Sequence, residues 1–139
     1  MAKILIVDDE PRNRRLLELI VVSDGHQALH AGSGVEAIAL ASREAPDLVL
    51  LDLMMPEMDG FQIVRRLKEG VRTRAIPVIV VTALDEHAVR LRVVASGADD
   101  FLGKPLDRWE LLLRVQRLLA ARNAASDTAA TASVRTVGS

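Results

Sequence analysis

The sequence contains no cysteine. Disulfide bridges, thiolate metal sites and a thiol nucleophile are therefore excluded, and a metal ion would have to bind oxygen or histidine ligands. The chain also lacks an excess of charge of one sign, because 18 basic residues are balanced by 19 acidic ones. Composition thus gives no indication of direct nucleic-acid binding or of attraction to an anionic membrane.

Long apolar runs are missing as well. Charged residues interrupt every longer run well before it reaches the length of a membrane span, and the apolar stretch at residues 4–7 is too short for a signal peptide. We therefore expect a cytoplasmic protein that does not enter a membrane. With 139 residues, half of them apolar, the chain is long enough to bury the core of one domain but not of several.

Short apolar runs alternate with stretches of helical spacing along the chain. The runs predict five strands, at Lys3–Val7, Gln27–Ala31, Leu48–Leu51, Val78–Thr82 and residues 100–102. Strands that are separated by helical crossovers are parallel, and their connections are right-handed. The pattern predicts an α/β fold in which helices cover both faces of a doubly wound five-stranded parallel sheet.

Proline and glycine mark several predicted helix ends. Pro11 suits the first position of a helix, and Gly97 suits the left-handed position that ends a helix at residues 88–96. The last helix is predicted to run from residue 108 to about residue 121, so that the domain comprises residues 1–122. Residues 123–139 are mostly small and lack apolar periodicity, which predicts a disordered tail or a linker stub.

Polar side chains follow four of the predicted strands. Asp52 comes directly after the third strand, and the other three strands lead into Asp8 and Asp9, Thr82, and Lys104. Open α/β sheets place their chemistry at the carboxyl ends of the strands. We therefore expect three carboxylates, a hydroxyl and an ammonium group to share one edge of the sheet.

Each of these residues, taken singly, has an ordinary structural explanation, such as capping a helix or a turn. Their joint placement at one edge is what favours a functional site. Arg12, Arg14 and Arg15 are predicted to line a solvated face of the first helix. No role is assigned to the three histidines, whose spacing does not suit metal ligation.

Four motifs in this order resemble the receiver domain of two-component response regulators: ILIVDDE at residues 4–10, LLDLMMP at 50–56 with MDG at 58–60, VVTA at 80–83, and GADDFLGKP at 97–105. The resemblance covers residues 2 to about 121 and is specific because all four motifs fall at strand ends. It implies a flavodoxin-like sheet and a phosphoryl group accepted by Asp52. The implied donor is a sensor histidine kinase or a phosphotransfer protein.

The residues at the predicted edge also suit phosphoryl transfer on chemical grounds. This reaction needs a nucleophile, a divalent cation and fixed positive charge around the phosphoryl oxygens. Asp52 offers the nucleophile, and Lys104 offers a mobile positive charge. Mg²⁺ prefers oxygen ligands and keeps several waters, so Asp8, Asp9 and Asp52 match its needs, with Mn²⁺ as an alternative ion. The resemblance adds the backbone carbonyl of Met54 as a further ligand.

The resemblance further implies that Thr82 and Phe101 form a switch pair. The Thr82 hydroxyl would donate to the phosphoryl group, and Phe101 would rotate inward, altering the face formed by the fourth helix, fifth strand and last helix. This face would then serve homodimer or partner binding. The Lys104–Pro105 bond resembles the cis peptide of the family. Apolar Met54 and Leu84 each lie two residues after a site residue, and they predict slow dephosphorylation. Apart from its own phosphorylation and dephosphorylation, the protein is expected to catalyse no reaction.

Three alternatives to a single-domain receiver also suit parts of the sequence. The chain could be a receiver cut from a longer regulator, such as a diguanylate cyclase or a cyclic-di-GMP phosphodiesterase. A haloacid dehalogenase-type phosphatase also pairs an aspartyl nucleophile with Mg²⁺, but it uses an Asp-x-Asp motif that the adjacent Asp8 and Asp9 do not provide. A flavodoxin-like binding module would need a glycine-rich phosphate loop, which the sequence lacks.

Overall fold

The computed structural model of the protein describes residues 2–53, 59–83 and 87–138, and its side chains as far as residue 124. Strands and helices alternate throughout. The strands are β1 (Lys3–Val7), β2 (Gln27–Ala31), β3 (Leu48–Leu51), β4 (Val78–Thr82) and β5 (Asp100–Gly103). The helices are α1 (Pro11–Ser23), α2 (Gly34–Glu44), α3 (Gly60–Glu69), α4 (His87–Ser96) and α5 (Arg108–Gly138).

All five strands form one parallel sheet in the order β2-β1-β3-β4-β5. The predicted fold class is therefore confirmed, and the predicted strands match the observed ones except that β5 includes Gly103. Every residue of β3 and β4 is buried, because helices cover the sheet on both sides. This burial explains why their sequences are continuous apolar runs rather than alternating ones.

The core divides into two clusters, one on each face of the sheet. Leu5 and Val49 point to the face covered by α2, α3 and α4, whereas Ile4 and Leu48 point to the face covered by α1 and α5. This division follows from the period of two in a strand, which sends neighbouring side chains to opposite faces. The helices thereby hold the ends of the central strands in fixed positions.

Local sequence signals set several helix ends. Pro11 is the first residue of α1, as predicted, and Gly97 follows α4 with a φ of +96°, which confirms the predicted left-handed position. The side chain of Ser33 caps α2 by accepting a hydrogen bond from the Glu36 amide at 3.2 Å. Asp59 caps α3 in the same way, accepting from the Phe61 amide at 2.9 Å.

Helix α5 extends to Gly138, so the prediction that it ends near residue 121 was wrong. Residues 122–137 contain several alanines and neither proline nor glycine, so no sequence signal stops the helix before Gly138. The division of the chain into a domain ending at residue 122 and a separate tail stays a prediction. Within the described residues, no helix has both the length and the apolar character needed to cross a membrane.

Candidate functional site

Four of the predicted site residues lie at the carboxyl edge of the sheet, on neighbouring strands. Backbone hydrogen bonds hold two of them one residue beyond the ends of their strands. The Asp52 amide donates to the Val7 carbonyl at 3.0 Å, and the Lys104 amide donates to the Thr82 carbonyl at 2.9 Å. The strand ladder therefore positions Asp52 beside the end of β1, and Lys104 beside the end of β4.

Lys104 and Asp52 form the central ion pair of this edge. The Lys104 ammonium lies 3.4 Å from Asp52 Oδ2. The Asp52 residue is only 8% exposed, which limits the solvent that could screen its charge. The peptide bond between Lys104 and Pro105 is cis, as the family resemblance implied. The expectation that an ammonium group and a carboxylate share this edge is thus met by Lys104 and Asp52.

Asp8 is the second carboxylate of the site and is almost completely buried, with 1% of its surface exposed. Its Oδ1 accepts a hydrogen bond from the Glu10 amide at 2.9 Å. Its Oδ2 is buried and has no hydrogen-bond partner among the residues that the structure describes. Burial raises the pKa of Asp8, and the nearby negative charge of Asp52 raises it further. The site therefore holds more negative charge than Lys104 alone offsets.

The predicted metal ligands are only partly brought together. Asp8 and Asp52 face one another closely enough for their charges to interact, Asp9 lies exposed at the rim, and Met54 falls outside the described residues. No group of three histidine or acidic side chains in residues 2–53, 59–83 and 87–138 is arranged to hold a metal ion. Mg²⁺ can nevertheless be held by one or two carboxylates with waters. The unpartnered Asp8 Oδ2 fits that requirement.

The two residues of the predicted switch lie on adjacent strands and point to the same face of the sheet. Phe101 is paired with Val80, two residues before Thr82, and side chains two residues apart share a face. Thr82 is completely buried, whereas Phe101 is partly exposed and packs against the core on the α3 and α4 side. The Arg90 guanidinium carbon lies 5.3 Å from the centre of the Phe101 ring.

Arg14 was predicted on a solvated helix face, and this prediction was wrong. Its Nη1 donates a hydrogen bond of 2.6 Å to the backbone carbonyl of Asp8, and its Nε is buried. Arg15, by contrast, keeps 71% of its side chain exposed. The signal was present in the sequence, because Arg14 precedes buried Leu17 and Val21 by three and seven residues, which places all three on one helix face.

A comparison with protein families identifies the family in which this arrangement of residues occurs. The family model described as the response regulator receiver domain matches residues 4–116. The chain belongs to this family. The predicted resemblance is thereby confirmed, and the chain is a receiver domain of two-component signalling rather than a member of the dehalogenase-type phosphatases. The family match covers β1 from Ile4 onward, the other four strands in full and the four site residues at the strand ends.

Curated relatives of this receiver domain differ in length. The chain is 47% identical over 117 residues to the response regulator PleD of Caulobacter vibrioides, an alignment that covers 84% of the chain and 26% of PleD. It is 43% identical over 120 residues to protein PilH of Pseudomonas aeruginosa, covering 86% of the chain and 99% of PilH. The chain therefore spans about a quarter of PleD and nearly all of PilH.

Solved structures show the same fold at this site. The signal receiver domain of a histidine kinase from Syntrophus aciditrophicus superposes with a TM-score of 0.81 at 40% identity, covering 87% of this chain and 92% of that one. The receiver domain of a sensor histidine kinase from Pseudomonas aeruginosa gives a TM-score of 0.80 at 30% identity, covering 86% of this chain and 98% of that one. That second structure has a magnesium ion coordinated in its active-site cleft.

Proposed function

We propose that this receiver domain accepts a phosphoryl group on Asp52 from the phosphohistidine of a sensor histidine kinase or a phosphotransfer protein. The observation that carries the proposal is the pairing of Asp52 with Lys104 beside a second buried carboxylate, Asp8, which has an unpartnered oxygen. An ion pair that served only stability would not require Asp8 beside it, because burying a carboxylate without a partner is unfavourable.

The transfer step uses Asp52 as the nucleophile. A carboxylate oxygen of Asp52 forms a bond to phosphorus as the bond between phosphorus and the donor imidazole nitrogen breaks, and the imidazole leaves with the electron pair and takes up a proton. The product is an acyl phosphate on Asp52. Lys104 then pairs with a phosphoryl oxygen instead of the free carboxylate, so its positive charge stays close to the reacting group throughout.

A divalent cation belongs to this proposal. Asp8 and Asp52 would hold Mg²⁺, or Mn²⁺ in its place, with Asp9 directly or through water and with the Met54 carbonyl as proposed further ligands. When bound, the ion neutralises phosphoryl oxygens during transfer. A magnesium ion in the cleft of the 30% identical kinase receiver supports this part of the proposal. The burial of Asp8, which raises its pKa, also favours a partner with positive charge.

The proposed output is a change of surface rather than the conversion of a substrate. Phosphorylated Asp52 would attract the Thr82 hydroxyl, and Phe101 would follow inward, changing the face formed by α4, β5 and α5. That face would bind a partner or a second copy of the chain. The protein would catalyse only its own phosphorylation and slow dephosphorylation, and we propose that it works in the cytoplasm.

Two contexts suit the same chemistry. The match to nearly all of PilH supports a single-domain regulator. The match to 26% of PleD supports a receiver within a longer regulator, for which a diguanylate cyclase or a cyclic-di-GMP phosphodiesterase remains our alternative. Phosphorylation of Asp52 is common to both, so the test below does not depend on which context applies.

Intact mass spectrometry after incubation with Mg²⁺ and acetyl phosphate tests the proposal. We expect one added phosphoryl group in the wild type and none in Asp52→Asn. Asp24→Asn serves as a matched control, because Asp24 follows the far end of α1 and should leave phosphorylation unchanged. An adduct that persists in Asp52→Asn, or its absence from the wild type despite measured Mg²⁺ binding, would contradict the proposal.

A further inference from the structure

Arg14 is half-buried, and part of its guanidinium group is buried without a hydrogen bond that explains it. Its Nη1 donates to the Asp8 carbonyl, but its Nε is buried without a hydrogen-bond partner in the described part of the chain. A buried donor without a partner lowers stability by about 1–3 kcal/mol. The hydrogen bond from Nη1 to the Asp8 carbonyl offsets part of this penalty.

The turn between β2 and α2 provides the space for the guanidinium. A Cβ atom at Gly32 would lie 3.2 Å from Arg14 Nη1 and 3.8 Å from its Cζ. Contact at 3.2 Å is tighter than most carbon atoms tolerate, so any side chain at position 32 would press on the guanidinium. The lack of a side chain at Gly32 therefore leaves room for the Arg14 guanidinium, which contacts the backbone of Asp8.

The backbone of Asp8 is held on both sides by this arrangement. The Asp8 amide donates to the Ala31 carbonyl at 3.1 Å, and the Asp8 carbonyl accepts from Arg14 at 2.6 Å. With Oδ1 bonded to the Glu10 amide, Oδ2 is the one oxygen of Asp8 that has no hydrogen bond among the described residues. The contact with Arg14 thus helps to fix the backbone from which the Asp8 carboxylate extends.

We propose that Arg14 is a positioning residue that sets the affinity of the acid site for its divalent cation. By fixing the Asp8 carbonyl beneath Gly32, it holds the Asp8 carboxylate in the orientation that a cation needs before the cation arrives. This inference rests on the proposed role of Asp8 as a Mg²⁺ ligand. Removing a residue that orients a metal ligand commonly lowers the metal affinity by about 10-fold to 100-fold.

Calorimetric titration of the full chain with Mg²⁺ tests the inference without any phosphorylation. We expect Arg14→Met to weaken binding by about tenfold. Arg15→Met is the matched control, because Arg15 lies one residue away with an exposed side chain, and it should bind as the wild type does. Arg14→Lys keeps a donor for the Asp8 carbonyl and should recover part of the affinity. Wild-type affinity in a folded Arg14→Met variant would overturn the inference.

Gly32→Ala provides a second route that leaves Arg14 in the chain. The added methyl group should shift the guanidinium by a few tenths of an ångström and weaken Mg²⁺ binding, but it should add nothing in the Arg14→Met background, where no guanidinium remains. If Arg14→Met fails to fold, wild-type affinity in Gly32→Ala overturns the inference. Asp8→Asn tests the proposed role of Asp8 as a ligand separately from the role of Arg14, because unchanged Mg²⁺ binding in that variant would refute the metal site itself.

Discussion

Lys104 and Asp52 are joined across the carboxyl edge of the sheet by a contact of 3.4 Å between Nζ and Oδ2. The contact links the end of β3 to the end of β5, although β4 lies between them. Asp8 is close enough to Asp52 for its pKa to be raised by the second negative charge, after the larger effect of burial. Lys104 contacts Asp52 and also lowers the pKa of Asp8, so the stability of the site should depend on which charges are present.

The first prediction concerns the surplus charge of Asp8. Asp8→Asn should increase the free energy of unfolding by about 1 kcal/mol at pH 7 without Mg²⁺, because it removes a buried negative charge. The amide oxygen can still accept the hydrogen bond from Glu10. Asp9→Asn at the exposed rim is the control and should change stability by less than about 0.5 kcal/mol. Saturating Mg²⁺ should stabilise the wild type but not Asp8→Asn, as measured by thermal unfolding.

The second prediction concerns the pH dependence of that difference. The pKa of Asp8 is raised above its ordinary value of 3.8 in the folded protein, so the folded state binds this proton more tightly than the unfolded state does. Stability from this group is therefore present at low pH and is lost as the pH rises from 3.8 through the raised pKa. Urea unfolding over a pH series should show the advantage of Asp8→Asn growing across this window. An advantage that shrinks as pH rises would contradict the assigned shift.

The third prediction concerns the positive charge of Lys104. Lys104→Met should lower the free energy of unfolding by about 1 kcal/mol at pH 7, because Asp52 loses the cation beside it. The loss should be smaller in an Asp52→Asn background, where position 52 no longer carries a charge. Chemical denaturation of the four proteins in this cycle measures the coupling. Equal losses in both backgrounds would mean that the 3.4 Å contact contributes nothing.

The fourth prediction concerns Gly60, the first residue of α3. A Cβ atom here would lie 2.5 Å from the Leu53 Cα and 3.1 Å from the Asp52 carbonyl oxygen. Gly60→Ala should therefore destabilise the protein by about 2–3 kcal/mol, since backbone atoms of Asp52 and Leu53 would have to move.

Gly103→Ala is the natural control for this variant. Nothing lies within 4 Å of a Cβ built at Gly103, so this variant should match or slightly exceed the wild type in stability, by up to about 1 kcal/mol. Urea unfolding of both variants gives the comparison. Similar destabilisation by the two substitutions would show that the close approach to Leu53 is not responsible.

The fifth prediction concerns the proposed switch. Thr82→Val removes the hydroxyl at nearly constant shape, whereas Thr82→Ser keeps it. Beryllofluoride, used as a phosphoryl mimic with Mg²⁺, should shift the Phe101 amide resonance in the wild type and in Thr82→Ser, and much less in Thr82→Val. An undiminished shift in Thr82→Val would remove the hydroxyl from the proposed mechanism while leaving phosphorylation of Asp52 intact.

Local signals in the sequence predicted most of the fold. The runs that became β1, β3 and β4 were predicted to the residue, because strands buried on both faces must be apolar throughout or nearly so. The edge strand β2, which is mostly half-exposed, was also predicted to the residue. Pro11 and Gly97 marked helix ends because their backbone preferences are intrinsic to the residue. The end of α5 was missed, because predicted disorder rested on missing apolar periodicity while helix propensity favoured continuation to Gly138.

The sequence predicted which residues lie at the carboxyl edge of the sheet, but not how buried each one is or which groups it contacts. The order of motifs placed Asp8, Asp52, Thr82 and Lys104 at one edge, since the carboxyl ends of parallel strands must meet there. No pattern in the sequence indicates that Asp9 lies exposed at the rim while Asp8 is buried. It also led us to place Arg14 on a solvated face, although the structure joins it to the backbone of Asp8.

The sequence by itself thus determined the strands, their parallel arrangement and the set of residues at the carboxyl edge, because these depend on periodicity and on chain connectivity. Only the tertiary structure decided that Lys104 reaches Asp52, that Asp8 keeps an unpartnered buried oxygen, and that Arg14 fits beneath Gly32. These features depend on distances between segments far apart in the chain, and such distances are set by how the helices pack the sheet on both of its faces.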